Sequence, residues 1–122
     1  FSRAVLNKWG DEHHLYISGT ASIVGHESCH NGDVQGQLEE TLRNIESLLE
    51  HARHTADIDC GSLINLSSMK VYIRKAQDFE QIKRALEKRI NHKVPTLYLQ
   101  GDICRNDLLL EIEATCHNRA FL

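Results

Sequence analysis

A chain of 122 residues suits one domain with one core, and folding at this size buries roughly two thirds of the unfolded surface. Apolar residues make up 41% and charged residues 25%, the composition of an ordinary globular domain. The net charge of −3, without a basic stripe, argues against nucleic-acid binding through phosphate neutralisation, and no apolar run approaches the roughly 18 residues of a membrane span.

The opening Phe1-Ser2-Arg3-Ala4-Val5-Leu6 carries no initiator Met and reads as interior sequence. The chain is therefore expected to be part of a longer polypeptide, with a strand within Phe1 to Lys8. His14 to Ile17 predicts a strand that ends in Ser18-Gly19-Thr20-Ala21-Ser22. There Gly19 and Thr20 permit either a tight turn or close approach of backbone N–H groups to a ligand. Gly25 to Gly32 has turn composition. Asp33 is placed to cap a helix running to about Arg53, with Leu38, Leu42, Ile45, Leu48, Leu49 and Ala52 as its apolar stripe. Glu39, Glu40, Arg43, Glu46, Ser47 and Glu50 read as its solvated face.

Ile58 to Gly61 reads as a connector. Within Leu63 to Arg74, the run Met69 to Arg74 turns Val71 and Ile73 one way and Lys70, Tyr72 and Arg74 the other. Asp78 stands at the start of a second helix, Phe79 to about Ile90, with Phe79, Ile82, Leu86 and Ile90 in its stripe. Pro95 opens the strand Thr96 to Gln100, Gly101 to Asp107 is a loop, and Leu108 to Ala114 is the last strand.

In that last strand Leu110, Ile112 and Ala114 belong to a core, so Glu111 and Glu113 share the other face. Arg105, just upstream, is close enough in sequence to approach them. A carboxylate in half-apolar surroundings has a raised pKa and can act as a general acid near neutral pH. Four cysteines, Cys29, Cys60, Cys104 and Cys116, lack CxxC spacing, and with no secretion signal the expectation is reduced thiols in a cytoplasmic protein. The histidines, including His13-His14 and His26 to His30, do not complete a ligand set at structural-zinc spacing; they read as loop and surface residues, and no metal is expected.

The order β, α, β, α, β, β predicts an α+β fold: one sheet with two helices packed on one face, ending in a hairpin. The bare sheet face calls for self-association, with a closed ring as the economical solution.

The layout, and the ending from Pro95 through Glu111-Ile112-Glu113-Ala114, resembles the YjgF-like reactive-intermediate deaminases. Leu15 through Ser28, Val71-Tyr72-Ile73-Arg74, and Asp102-Ile103-Cys104-Arg105 through Glu113 resemble more specifically the C-terminal half of the chorismatases, which carry YjgF-like domains. The resemblance covers nearly the whole chain. It implies a single domain over residues 1–122, of the chorismate mutase-like, YjgF-like sheet kind, a homotrimer with sites in clefts between subunits, and no metal or organic cofactor. It also implies that the substrate is chorismate or a similar carboxylate, from which pyruvate is released. Two departures stand out. Where the deaminases place a carboxylate-binding arginine two positions after the proline, this chain has Leu97, and the N-terminal half of a chorismatase is absent from this sequence.

By the same resemblance Glu111 occupies the position of the acid that protonates the enol-pyruvyl methylene, with Glu113 as second choice. A dianionic substrate needs cations, and Arg105 and Arg74 are the candidates, with Lys70 behind them. Tyr72 and Tyr98 either present hydroxyls to the substrate ring or serve as half-buried strand aromatics. The loop holding Cys104 helps to decide, in chorismatases, between a dihydroxycyclohexadiene acid and a hydroxybenzoate, and a cysteine there leans toward hydroxybenzoate. The alternatives are a YjgF-like enamine or imine deaminase and a non-catalytic trimeric ligand-binding module.

Overall fold

The chain is described from a computed structural model, in which residues 4–9, 12–24, 27–56 and 61–119 are placed. In chain order the elements are β1 (Ala4–Trp9), β2 (Glu12–Thr20), β3 (Ile23–Val24), β4 (Glu27–Ser28), α1 (Val34–Ala56), β5 (Ser68–Ile73), α2 (Phe79–Ile90), β6 (Thr96–Gln100) and β7 (Leu110–Arg119), with short 3-10 turns at Leu63–Asn65 and Ala76–Asp78. Residues 25, 26 and 58–60, which belong to the expected turn segment and connector, lie outside the described residues.

Alternation along the strands builds one apolar layer. Leu15 and Ile17 of β2, Met69, Val71 and Ile73 of β5, and Leu110, Ile112, Ala114 and Cys116 of β7 are buried. They share a core with Leu38, Leu42, Ile45 and Leu49 of α1 and with Ile82, Leu86 and Ile90 of α2. Each large aliphatic side chain so buried contributes about 1.5–3 kcal/mol, so this layer fixes both helices to one face of the sheet. A smaller cluster of Ala21, Ile103 and Leu108, with Ile23 against it, seals the loop before β7 onto the corner between β2 and β3.

Five strands form the sheet in the order β1-β2-β7-β5-β6, and β3 pairs with β4 as a separate ribbon. The β5–β6 pair is parallel, and the other neighbours in the sheet are antiparallel. The expected terminal hairpin does not form. The connection through α2 returns the chain parallel to β5, as a helical crossover does. Residues 101–109, too long for a tight turn, then carry the chain past β5 to the centre of the sheet.

Further differences have local causes. The final strand begins at Leu110 and runs to Arg119, because its second half pairs with β2 from Leu15↔Cys116 outward. Strand β2 continues through Ser18 and Gly19 to Thr20, with an irregularity in register between Ile17 and Thr20. Asp33 caps α1 as expected, its Oδ1 accepting the Gly36 N–H at 3.0 Å, and the helix runs to Ala56. Asp78 occupies the N-cap of α2 without a side-chain capping bond, the Ala76–Asp78 turn leading the chain in instead. Glu40 is buried rather than solvated, beside His30 at 3.5 Å and Arg43 at 3.2 Å. Cys116 is disulfide-bonded, against the expected fully reduced set, while Cys29 and Cys104 are free. No described helix is long and apolar enough to cross a membrane.

Candidate active site

The sheet face opposite the helices carries the polar residues of β5 and β7 in register. Tyr72 stands opposite Glu111, Lys70 opposite Glu113 and Ser68 opposite Thr115. The Tyr72 hydroxyl donates to Glu113 Oε2 at 3.4 Å, and the Ser68 and Thr115 hydroxyls meet at 2.6 Å. Around Glu113 this face forms a cavity of about 330 Å³, lined in part by Tyr16, Ser18, Ser68, Lys70 and Thr115.

Glu111 sits at the other side of β7, against β2. Its carboxylate fills the space over Gly19, where a Cβ would overlap Glu111 Oε1. The β2 irregularity and a residue without a side chain together let the carboxylate lie on the neighbouring backbone. Partial burial there, and secondarily the charge of Glu113, push the Glu111 carboxyl above the usual carboxylate range. The Tyr72 hydroxyl is also pushed up, first by loss of solvation and then by Glu113. The group therefore combines a carboxyl inclined to hold its proton with a second carboxylate hydrogen-bonded by a tyrosine.

The residues expected on sequence grounds divide. Glu111, Glu113, Tyr72 and Gly19 come together on this face. Thr20 is buried and turns its hydroxyl to the Ser18 carbonyl at 2.8 Å. Cys104 is exposed in the loop before β7, and the adjacent Arg105 donates to Ser28 Oγ at 3.3 Å. Tyr98 lies on the helix-covered face, edge-on to Phe79 with ring centroids 5.3 Å apart, and is not brought to the carboxylates. Burial, and secondarily Glu87, push its hydroxyl pKa up.

Arg74 is turned to the chain itself. Its Nε donates to the Leu108 carbonyl at 2.8 Å, and its Nη2 donates to those of Ile103 at 2.8 Å and Arg105 at 2.7 Å. Among the described residues, no group of three or more His, Cys, Asp or Glu side chains is arranged to hold a metal.

Two polar residues that sequence reasoning passed over complete the setting. Gln37 of α1, fully buried, accepts the Leu109 N–H at 2.7 Å and donates to the carbonyls of Asp107 at 2.9 Å and His30 at 3.2 Å. Asn44, two turns along, donates to the carbonyls of Ala21 at 2.9 Å and Ile23 at 3.0 Å. The signal was spacing: Gln37, Thr41 and Asn44 recur at four and three residues beside the apolar stripe.

No family model matches the chain. It is 38% identical over 121 residues to a chorismatase of Streptomyces rapamycinicus, covering 93% of this chain and 35% of that protein. A 3-hydroxybenzoate synthase of Streptomyces hygroscopicus is 37% identical over 101 residues, covering 81% of this chain and 30% of that protein. A crystal structure of chorismatase superposes with a TM-score of 0.88 at 34% identity, covering 95% of this chain and 36% of the other. The Mycobacterium tuberculosis protein Rv2704, of the YjgF/YER057c/UK114 family, superposes at 0.73 with 20% identity, covering 97% of this chain and 86% of its own. This chain thus spans about a third of the length of the curated relatives it matches. It is a YjgF-like domain in fold, and in sequence a homologue of the chorismatases over that third.

Proposed function

We propose that this domain supplies the acid of a chorismatase-type enzyme, as the C-terminal part of a longer chain, and that the reaction releases pyruvate from chorismate. The observation that carries the reading is Glu111: a carboxyl pushed toward its protonated form, seated on the backbone of β2 in a domain homologous to chorismatases. Such a group can deliver a proton to the terminal methylene carbon of the enol-pyruvyl ether, leaving an oxocarbenium ion at the ether carbon. In the hydrolytic branch water adds there, and the hemiketal collapses to pyruvate and a dihydroxycyclohexadiene acid. In the aromatising branch no water is consumed, and the atoms of chorismate divide between pyruvate and a hydroxybenzoate. Cys104 and the similarity to the 3-hydroxybenzoate synthase favour the second branch.

Glu113 acts beside the acid rather than as the acid. The Tyr72 hydroxyl donates to it, and its charge helps to keep Glu111 protonated. Arg105, which donates to Ser28 Oγ, is the cation assigned to the substrate carboxylate, and Lys70, on the same sheet face as Glu113, is the second. Leu97 and Leu99, 52% and 36% exposed on the helix-free side of β6, belong in the assembly to a trimer interface.

The test is pyruvate release from chorismate, coupled to lactate dehydrogenase, with the aromatic or dihydroaromatic product identified by mass. It is run on this chain and on the full-length protein, each with and without Glu111→Gln. Pyruvate formed by the parent and reduced about a hundredfold or more in the variant supports the reading. No pyruvate from either folded parent, or undiminished release by the variant, overturns it.

A further inference from the structure

The loop between β6 and β7 delivers Cys104 and Arg105 and then, two residues beyond Leu109, the acid Glu111. Its backbone is not left to solvent. Arg74 takes three of its carbonyls with Nε and Nη2, and Arg74 N–H donates to the Leu109 carbonyl at 3.0 Å. Gln37 takes the Leu109 N–H and the Asp107 carbonyl from the helix side. The loop is thus gripped from the residue just after β5 and from α1 at once.

The same side of α1 holds the facing segment. Asn44 binds the carbonyls of Ala21 and Ile23, just past the Gly19 backbone on which the Glu111 carboxylate rests. Gln37 also binds the His30 carbonyl, beyond the β3–β4 ribbon whose Ser28 receives Arg105. One row of polar side chains on a single helix, buried at Gln37 and half-buried at Asn44, therefore meets both segments that enclose the acid. A buried amide that loses its partners is costly, so these bonds hold the two segments at fixed separation.

We infer that Gln37 and Arg74 are positioning residues of the site: they set where Glu111 and Arg105 stand relative to the Gly19 backbone, and Arg74 does so in place of binding substrate. The inference rests on the reading of Glu111 as the acid. A guanidinium whose Nε and Nη2 donate to main-chain carbonyls within its own fold is spent as a brace. Arg105, one of whose carbonyl's donors is Arg74, is left as the arginine that points to the neighbouring ribbon.

The experiment compares Gln37→Glu, Gln37→Leu and Arg74→Lys with the parent in two readouts. Gln37→Glu keeps an acceptor for the Leu109 N–H but turns a carboxylate to the two carbonyls, and Arg74→Lys keeps the charge but loses the planar fork. Steady-state pyruvate release is expected to show kcat lowered at least tenfold with KM changed less than threefold for Arg74→Lys and Gln37→Leu, and a smaller loss for Gln37→Glu.

Amide hydrogen exchange, which needs no activity, is expected to speed up at least tenfold at Leu109 in Gln37→Leu, while amides of β5 and α2 keep their protection. For Arg74→Lys, a KM rise with kcat preserved makes Arg74 a substrate ligand and overturns the inference. Unchanged exchange at Leu109 overturns the role of Gln37. Should Gln37→Leu fail to fold, Gln37→Met, of similar length but without the amide's donor and carbonyl acceptor, decides in both readouts. If the parent releases no pyruvate, the functional reading fails alone, and the exchange measurement still decides whether the two side chains brace the loop.

Discussion

Glu111 and Gly19 act as a pair in which one residue's missing side chain makes room for the other's carboxylate. Gly19→Ala would leave the fold standing, because the displaced atoms are the far end of a flexible side chain. It would move the carboxyl of Glu111, the proposed acid, by about a bond length or more, and misplacement of about 1 Å can cost roughly a hundredfold in rate. The expected result is a large fall in kcat for Gly19→Ala with an unchanged far-ultraviolet spectrum. The raised pKa of Glu111 also has a sign in stability. A carboxyl whose folded-state pKa lies above its unfolded value, near 4.3, stabilises fully below that value and loses the contribution as pH rises through the folded pKa. Glu111→Gln should therefore gain stability relative to the parent as pH rises from the unfolded carboxyl's value through the folded-state pKa, read as the difference in urea midpoints across that rise. Under the proposed mechanism kcat/KM is expected to fall as pH rises through the pKa of Glu111 in the free enzyme. The shared face of Glu111 and Glu113 was legible from the period-two pattern; the overlap with Gly19 was not, because it is a contact between residues about ninety positions apart in the sequence.

At the scale of elements, both helices were legible because their apolar residues repeat at three and four positions, and Leu42, Ile45, Leu86 and Ile90 lie in the core. The same rule misread Glu40, which is drawn in by His30 and Arg43, and passed over Gln37 and Asn44. A polar residue on a helix flank looks solvated until a distant carbonyl arrives to receive it, and periodicity carries no information on that arrival. The strand order was invisible for a related reason: local pattern gives the strands, while pairing depends on crossovers. Two stability tests belong here. Asp33→Ala removes the cap on the Gly36 N–H and should cost about 1 kcal/mol in chemical denaturation. Leu42→Ala empties a fully buried site between helix and sheet and should cost about 2–5 kcal/mol.

For the molecule as a whole, two helices cover one side of the sheet, and on the other Val5, Tyr16, Leu97 and Leu99 remain exposed around a polar centre. An apolar rim with a polar middle suits a neighbour that closes over the site without drying out its charges. Under the proposed trimer, Leu97→Lys is expected to shift the chain from trimer to monomer in sedimentation, and to reduce the proposed pyruvate release with it. A fully trimeric variant would place the interface elsewhere on the surface.

Strand β7 is the last described strand in the chain and the middle strand of the sheet. Until it is made, β1–β2 and β5–β6 are separate two-stranded pieces, each marginal alone. During synthesis the domain must therefore wait, with the edges of β2 and β5 open, for residues 110–119 to leave the ribosome and join them. The strand that brings the proposed acid is also the one that closes the sheet, so a nascent chain cut short before it lacks both a finished fold and Glu111.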